Sequence, residues 1–253
     1  MRNLLITVLV LLLLPGCTNT RDDSGLMTQT KSNPVAETNL NLGIAYMQRG
    51  DYEKALEKLD RAYKADPNYY STHYAYGLLY QQIGKPALAE EHFRKALRLN
   101  PTDSATRNGY GQFLCQQGKY EKAEKLFQEA AANPLYQTPE VPLSNAGLCA
   151  AGHQDDASAE KFFRRALDIN PRLPMALLEM SRISFEQKNY LSARGYLQRY
   201  QEVARHTPES LWLGIRIERQ LGDKNAVASY GLLLKNNFPD AEETASYLES
   251  LKQ

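Results

Sequence analysis

The sequence predicts an all-α fold, a right-handed superhelix of about six helix-turn-helix repeats closed by a short C-terminal capping helix. Three observations carry this. Anchor residues recur with a period of 34, as Gly43, Tyr46, Ala55, Leu59, Ala62 and Pro67, and again as Gly77, Tyr80, Ala89, Phe93, Ala96 and Pro101. Glycine falls at place 15 of three successive units, as Gly50, Gly84 and Gly118, where a first helix must stop and the chain reverse. Asp66-Pro67, Asn100-Pro101 and Asn170-Pro171 supply turn chemistry at the ends of second helices, since proline cannot continue a helix interior.

Each anchor has a physical role. Small residues at places 8 and 20 let two antiparallel helices approach closely, and the aromatic or Leu at place 24 fills the gap they leave. Ala at place 27 seats the second helix of one unit against the first helix of the next. The third unit carries Gly111, Leu114, Ala123, Phe127 and Ala130, and the fourth Gly147, Ala150, Ala159, Phe163, Ala166 and Pro171. Two looser copies follow, with Ser181, Ala193 and Leu197, then Gly214, Ile217, Ala226 and Tyr230. Period and anchor types together are the tetratricopeptide (TPR) pattern.

The units fall at residues 36–69, 70–103, 104–137, 140–173, 174–206 and 207–240, with 241–253 as the C-terminal cap. Two extra residues separate the third from the fourth, where Pro134, Pro139 and Pro142 crowd the junction and predict a kink or loop. The fifth unit lacks the glycine and the closing proline, with Pro208 three residues late. Tyr247, Leu248 and Leu251 are expected on one buried face of the cap, because a repeat cannot bury its apolar side alone.

The amino terminus has a different character. Arg2 precedes the apolar run Leu4 to Leu14, which is too short for a bilayer span of about 20 residues and reads as a secretory signal over residues 1–16. Leu14-Pro15-Gly16-Cys17 resembles the bacterial lipobox, in which the Cys thiol is lipidated, although Pro15 stands where Ala, Ser or Thr is usual. Cys17 is therefore the expected lipidation site, with residues 17–35 a lipidated, polar tether and the repeats facing the periplasm. Thr18 follows where Asp would retain an enteric lipoprotein at the inner membrane, so the resemblance favours the outer membrane.

Charge and motif content exclude several classes. Without Arg2, 29 Lys and Arg balance 29 Asp and Glu, a poor match to nucleic acid or to anionic headgroups. No nucleophile motif, phosphate loop or metal-ligand spacing occurs, so neither an enzyme, a cofactor, a metal site nor a small-molecule substrate is expected. His73, His92, His153 and His206 are expected to be scattered through different units as surface or packed side chains. An oxidising periplasm permits a bridge between Cys115 and Cys149, but at places 12 and 10 they point in different directions and are expected to stay unbridged.

The first helices should line a groove for a protein partner. Its expected lining is Leu40, Ile44, Met47, Tyr74 and Leu78 at the amino-terminal end, then Asn108 and Gln112, with Gln81, Gln116, Val141 and Leu148 at related places. An apolar strip of this kind suits an amphipathic helix or extended apolar peptide. The alternative is that Leu40, Ile44 and Leu78 are partly core or simply cover the tether.

Specific stretches carry a further match: Asn39 to Gly50, Asn108 to Cys115, Ala176 to Met180 and, most tellingly because they extend beyond the repeat anchors, Ser210-Leu211-Trp212-Leu213-Gly214-Ile215-Arg216 and Ala228-Ser229-Tyr230-Gly231. With the lipobox, tether and repeats they resemble the type IV pilus biogenesis and stability lipoproteins, the PilF/PilW family, over nearly the whole chain. The resemblance implies a pilotin or pilus-stability role and a pilus secretin subunit as partner. A general envelope adaptor, serving β-barrel insertion or cell-wall hydrolases, is the alternative that shares anchor and solenoid.

Overall fold

The computed structural model describes residues 33–252; the apolar leader, Cys17 and most of the tether lie outside them. Six helix pairs follow one another: α1 (Pro34–Gln48) with α2 (Tyr52–Ala65), α3 (Tyr70–Gln82) with α4 (Pro86–Leu99), and α5 (Ser104–Gln116) with α6 (Tyr120–Ala131). Then come α7 (Glu140–Gly152) with α8 (Asp156–Ile169), α9 (Pro174–Glu186) with α10 (Tyr190–Gln201), α11 (Pro208–Leu221) with α12 (Lys224–Asn237), and the terminal α13 (Glu242–Glu249). Among the described residues there is no strand, and no helix is long and apolar enough to cross a membrane. This is an all-α TPR fold.

The packing follows the predicted division between small and large places. A Cβ on Gly77 would come within 2.8 Å of the Phe93 ring, on Gly111 within 2.7 Å of Phe127, and on Gly147 within 2.6 Å of Phe163. Those three rings are fully buried, each contributing about 1.5–3 kcal/mol from apolar burial. In the fifth unit Ser181 replaces the glycine, and its hydroxyl donates to the Ala193 carbonyl at 2.8 Å, so the small place is kept and its polar atom satisfied. The Asp/Asn-Pro turns work as expected, with Asp66 Oδ1 accepting from the Asn68 N–H at 3.0 Å and Asn170 Oδ1 from that of Arg172 at 3.1 Å.

Several details correct the sequence reading. The first helix begins at Pro34, inside the stretch assigned to the tether: Asn33 caps it by accepting from the Val35 N–H at 2.9 Å and ties it to α2 through the Ala65 carbonyl at 3.0 Å. Pro208 does not close the fifth unit late. It opens α11 at the first helical turn behind a Thr207–Ser210 capping box. The cap is held by Thr244 and Tyr247, while Leu248 and Leu251 remain 43% and 58% exposed. Tyr247 lies over Gly231, where a Cβ would come within 2.2 Å of the phenol oxygen. Gly231 and Tyr247 are 16 residues apart, the same spacing as Gly77 and Phe93, so the closing helix reuses the device of the repeats.

Candidate functional site

The first helices α1, α3, α5, α7, α9 and α11 lie side by side and present one continuous series of side chains. Leu40 is not on that surface. It is 4% exposed and packs with Ala55, Leu59 and Leu79, because α3 covers the flank of α1 that carries it. Ile44 and Met47 are half-buried against the same cluster. Tyr74 lies across Gly109 of α5, where a Cβ would come within 2.6 Å of its ring, and burial pushes its phenol up to about 12. Leu78 is half-buried beside the core that contains Phe93 and Phe113. Gln112 is exposed.

In the middle, amides bridge neighbouring first helices. Gln81 Nε2 donates to Gln116 Oε1 at 2.7 Å, joining α3 to α5, and Asn145 Nδ2 donates to Asn108 Oδ1 at 2.9 Å, joining α7 to α5. Beside them Cys115 and Cys149 form a disulfide with Cα atoms 5.9 Å apart, which overturns the expectation of two unbridged thiols. The reason is geometric. Adjacent helices running the same way meet through opposite flanks, so residues at the same place cannot touch. A two-place offset turns the side chain by about 200° and aims each sulfur at the other.

The surface thus has an apolar amino-terminal part, a rigid amide-and-disulfide middle, and exposed Val141 and Leu148 on α7 at 37% and 36%. Such a strip can hold a peptide by apolar contact and amide hydrogen bonds without charge pairing. Val35 and Leu42 were missed by the sequence reading. They are 58% and 42% exposed, and their seven-residue spacing, which puts both on one face of α1, was the available signal.

The histidines also need correction. His73 and His92 belong to the same unit, and their Nδ1 atoms lie 3.0 Å apart with stacked rings. Burial lowers His73 below the usual histidine range and, with the His73 charge second, lowers His92 to about 4. His153 stacks on Tyr120 at 4.1 Å between centroids. Among the described residues no group of three or more His, Cys, Asp or Glu could hold a metal ion.

Residues 210–216 and 228–231 build the carboxy-terminal closure. Ser210 completes the capping box that Thr207 opens at α11, the Arg216 guanidinium lies 4.2 Å from the Phe185 ring centroid, Tyr230 accepts from Gln201 Nε2 at 2.9 Å, and Gly231 receives Tyr247.

Comparison with known proteins agrees with this architecture. Tetratricopeptide repeat models match residues 34–102 and 74–136. The type IV pilus assembly protein PilF of Pseudomonas aeruginosa PAO1 is 33% identical over 230 residues, 91% of each chain. The solved structure of Pseudomonas aeruginosa PilF superposes with a TM-score of 0.76 at 31% identity, covering 85% of this chain and 97% of that one. That of PilW, described as a widely conserved type IV pilus biogenesis factor, gives 0.75 at 31% identity, covering 85% and 99%. A relationship of 33% identity over nine-tenths of both sequences, with the matching solved folds of PilF and PilW, places this chain in the PilF/PilW family of type IV pilus biogenesis TPR proteins.

Proposed function

We propose that the chain is an outer-membrane lipoprotein, anchored through Cys17 and facing the periplasm, that acts as a pilotin for the type IV pilus secretin. The observation that carries this reading is the presence in one chain of Leu14-Pro15-Gly16-Cys17 and a 33% identical, 91% co-extensive pilus assembly relative. A disulfide between Cys115 and Cys149 agrees with an oxidising compartment. In this mechanism the lipid carries scaffold and cargo to the outer membrane. The strip around Leu78, Gln112 and Leu148 covers an apolar secretin segment until oligomerisation buries it. With several acyl chains, at about 0.8 kcal/mol per buried methylene, the anchor is stable.

The test is site-specific photo-crosslinking from position 112 in cells making pili. A covalent product with monomeric secretin is expected, absent when the probe replaces exposed Leu191 on α10. Equal yield from both positions, or a product with a pilus fibre component alone, would contradict the pilotin reading; the latter would indicate a role in fibre stability.

A further inference from the structure

A cleft of about 470 Å³ opens between α2 and α4, with α3 as its floor. It uses His73, Tyr76 and Tyr80, three and four residues apart and so on one face of α3, away from the face that carries Tyr74 and Gln81. Its volume falls in the range of about 300–1,000 Å³ typical of small-molecule clefts.

The inner layer is fixed by its own contacts. Tyr76 donates to Asp60 Oδ1 at 2.5 Å, and the Tyr76 and His92 rings stack at 4.7 Å. Tyr63 meets His73 edge-on at 5.7 Å. His73 Nε2 lies 3.1 Å from the Pro67 carbonyl oxygen, which can only accept, so that nitrogen carries the proton. His73 Nδ1 then accepts from His92 Nδ1–H at 3.0 Å. This leaves the lone pair of His92 Nε2 with no protein donor among the described residues.

The outer layer is more open. The Tyr63 ring is 43% exposed. Glu91, Lys95 and Arg98 line the cleft, and none of them forms an ion pair among the described residues. An anion here would meet Asp60 and Glu91, and a cation would meet Lys95 and Arg98. An apolar peptide would leave acceptors and donors alike desolvated and without partners. A neutral sugar offers hydroxyls that both donate and accept, together with an apolar C–H face that suits an exposed ring. We infer that the α2–α4 cleft binds a neutral oligosaccharide, with a C–H face on Tyr63 and hydroxyls shared among Glu91, His92 Nε2, Lys95 and Arg98. This site is separate from the first-helix strip and does not depend on the pilotin reading.

The experiment is calorimetric titration of the full chain, in a detergent without a sugar headgroup, with triacetylchitotriose, cellotriose and maltotriose. At least one trisaccharide should bind with a Kd of about 0.1–1 mM. Tyr63→Ala and Glu91→Gln, both at exposed positions, should each weaken that binding about tenfold or more, whereas Gln112→Ala on the first-helix strip should leave it unchanged. Far-UV circular dichroism of each variant should match the parent. No binding of any of the three at roughly 10 mM would overturn the assignment. So would binding that both cleft variants leave untouched, or a decaproline peptide that binds in the cleft and is not displaced by any of the sugars.

Discussion

Cys115 of α5 and Cys149 of α7 are bonded across two neighbouring first helices, 34 residues apart in sequence. The bond spans the one junction between units that carries extra residues. There Asn133 Nδ2 also holds the connecting loop to Ser104 Oγ at 2.9 Å. Removing a cross-link of this loop length costs about 3–4 kcal/mol on loop-closure entropy. Reduction of the folded protein, or Cys149→Ser, should therefore lower the urea midpoint with little change in helicity. Alkylation of both thiols in the unreduced protein, read by mass spectrometry, would contradict the bridge.

Close approach of paired helices depends on the missing side chains. Gly77→Ala places a methyl 2.8 Å from two atoms of the Phe93 ring and should destabilise by about 1–3 kcal/mol. Gly195→Ala in α10 meets no atom within 4 Å and should stabilise by about 0.5–1 kcal/mol through helix propensity. Denaturant unfolding of the two variants distinguishes packing from a general intolerance of alanine.

Place 15 demands a left-handed backbone. Gly50, Gly84 and Gly118 adopt it at φ 75°, 69° and 71°, but Gln154 and Lys188 occupy the same place in the fourth and fifth units at 69° and 61°. A side chain there costs about 1–2 kcal/mol. Lys188→Gly should raise stability by about 0.5–1 kcal/mol, the gain being partly offset by a freer unfolded chain. A lower thermal midpoint for this variant would mean that the lysine makes a stabilising contact.

The histidine pair sets an acid limit. His92 is lowered to about 4 by burial first and the His73 charge second, and His73 is lowered chiefly by burial. Lys95 and Arg98 press His73 in the same direction, and Glu91 opposes the shift of both. The unfolded chain therefore takes up protons that the folded one refuses, so stability is lost as pH falls from about 6.5 towards 4. His92→Gln should flatten the decline in thermal midpoint between about pH 7 and pH 5. An unchanged slope would sink this assignment.

Leu40 and Leu78 separate fold from function. Leu40→Lys puts a charge at a 4% exposed site in the first core cluster and should unfold the amino-terminal unit. Leu78→Lys, at a half-buried position, should keep the parent's helicity and reduce secretin multimers in the outer membrane. Loss of multimers in neither variant would remove the strip from the mechanism.

Repeat architecture was legible because it is written in volume: Gly111 and Phe127 are complementary in size, and that complementarity recurs at a fixed spacing. What escaped depended on how neighbouring helices turn towards each other. Leu40 sits at a nominal groove place yet faces α3, and Cys115 and Cys149 meet because their places differ. Gly231 and Tyr247 were readable as a 16-residue pair but lie outside the 34-residue frame. The His73–His92 contact needed two helices of one unit to be seen together, and periodicity alone does not provide that.

In the proposed mechanism a lipid-anchored TPR scaffold delivers a secretin to the outer membrane. The most direct test of this delivery is the level of heat- and detergent-resistant secretin multimers in the outer membrane of a strain lacking this gene. Complementation by the wild-type chain should restore the multimers, and Cys17→Ser should not. Full multimer levels in the deletion strain, or in the strain carrying Cys17→Ser, would contradict it.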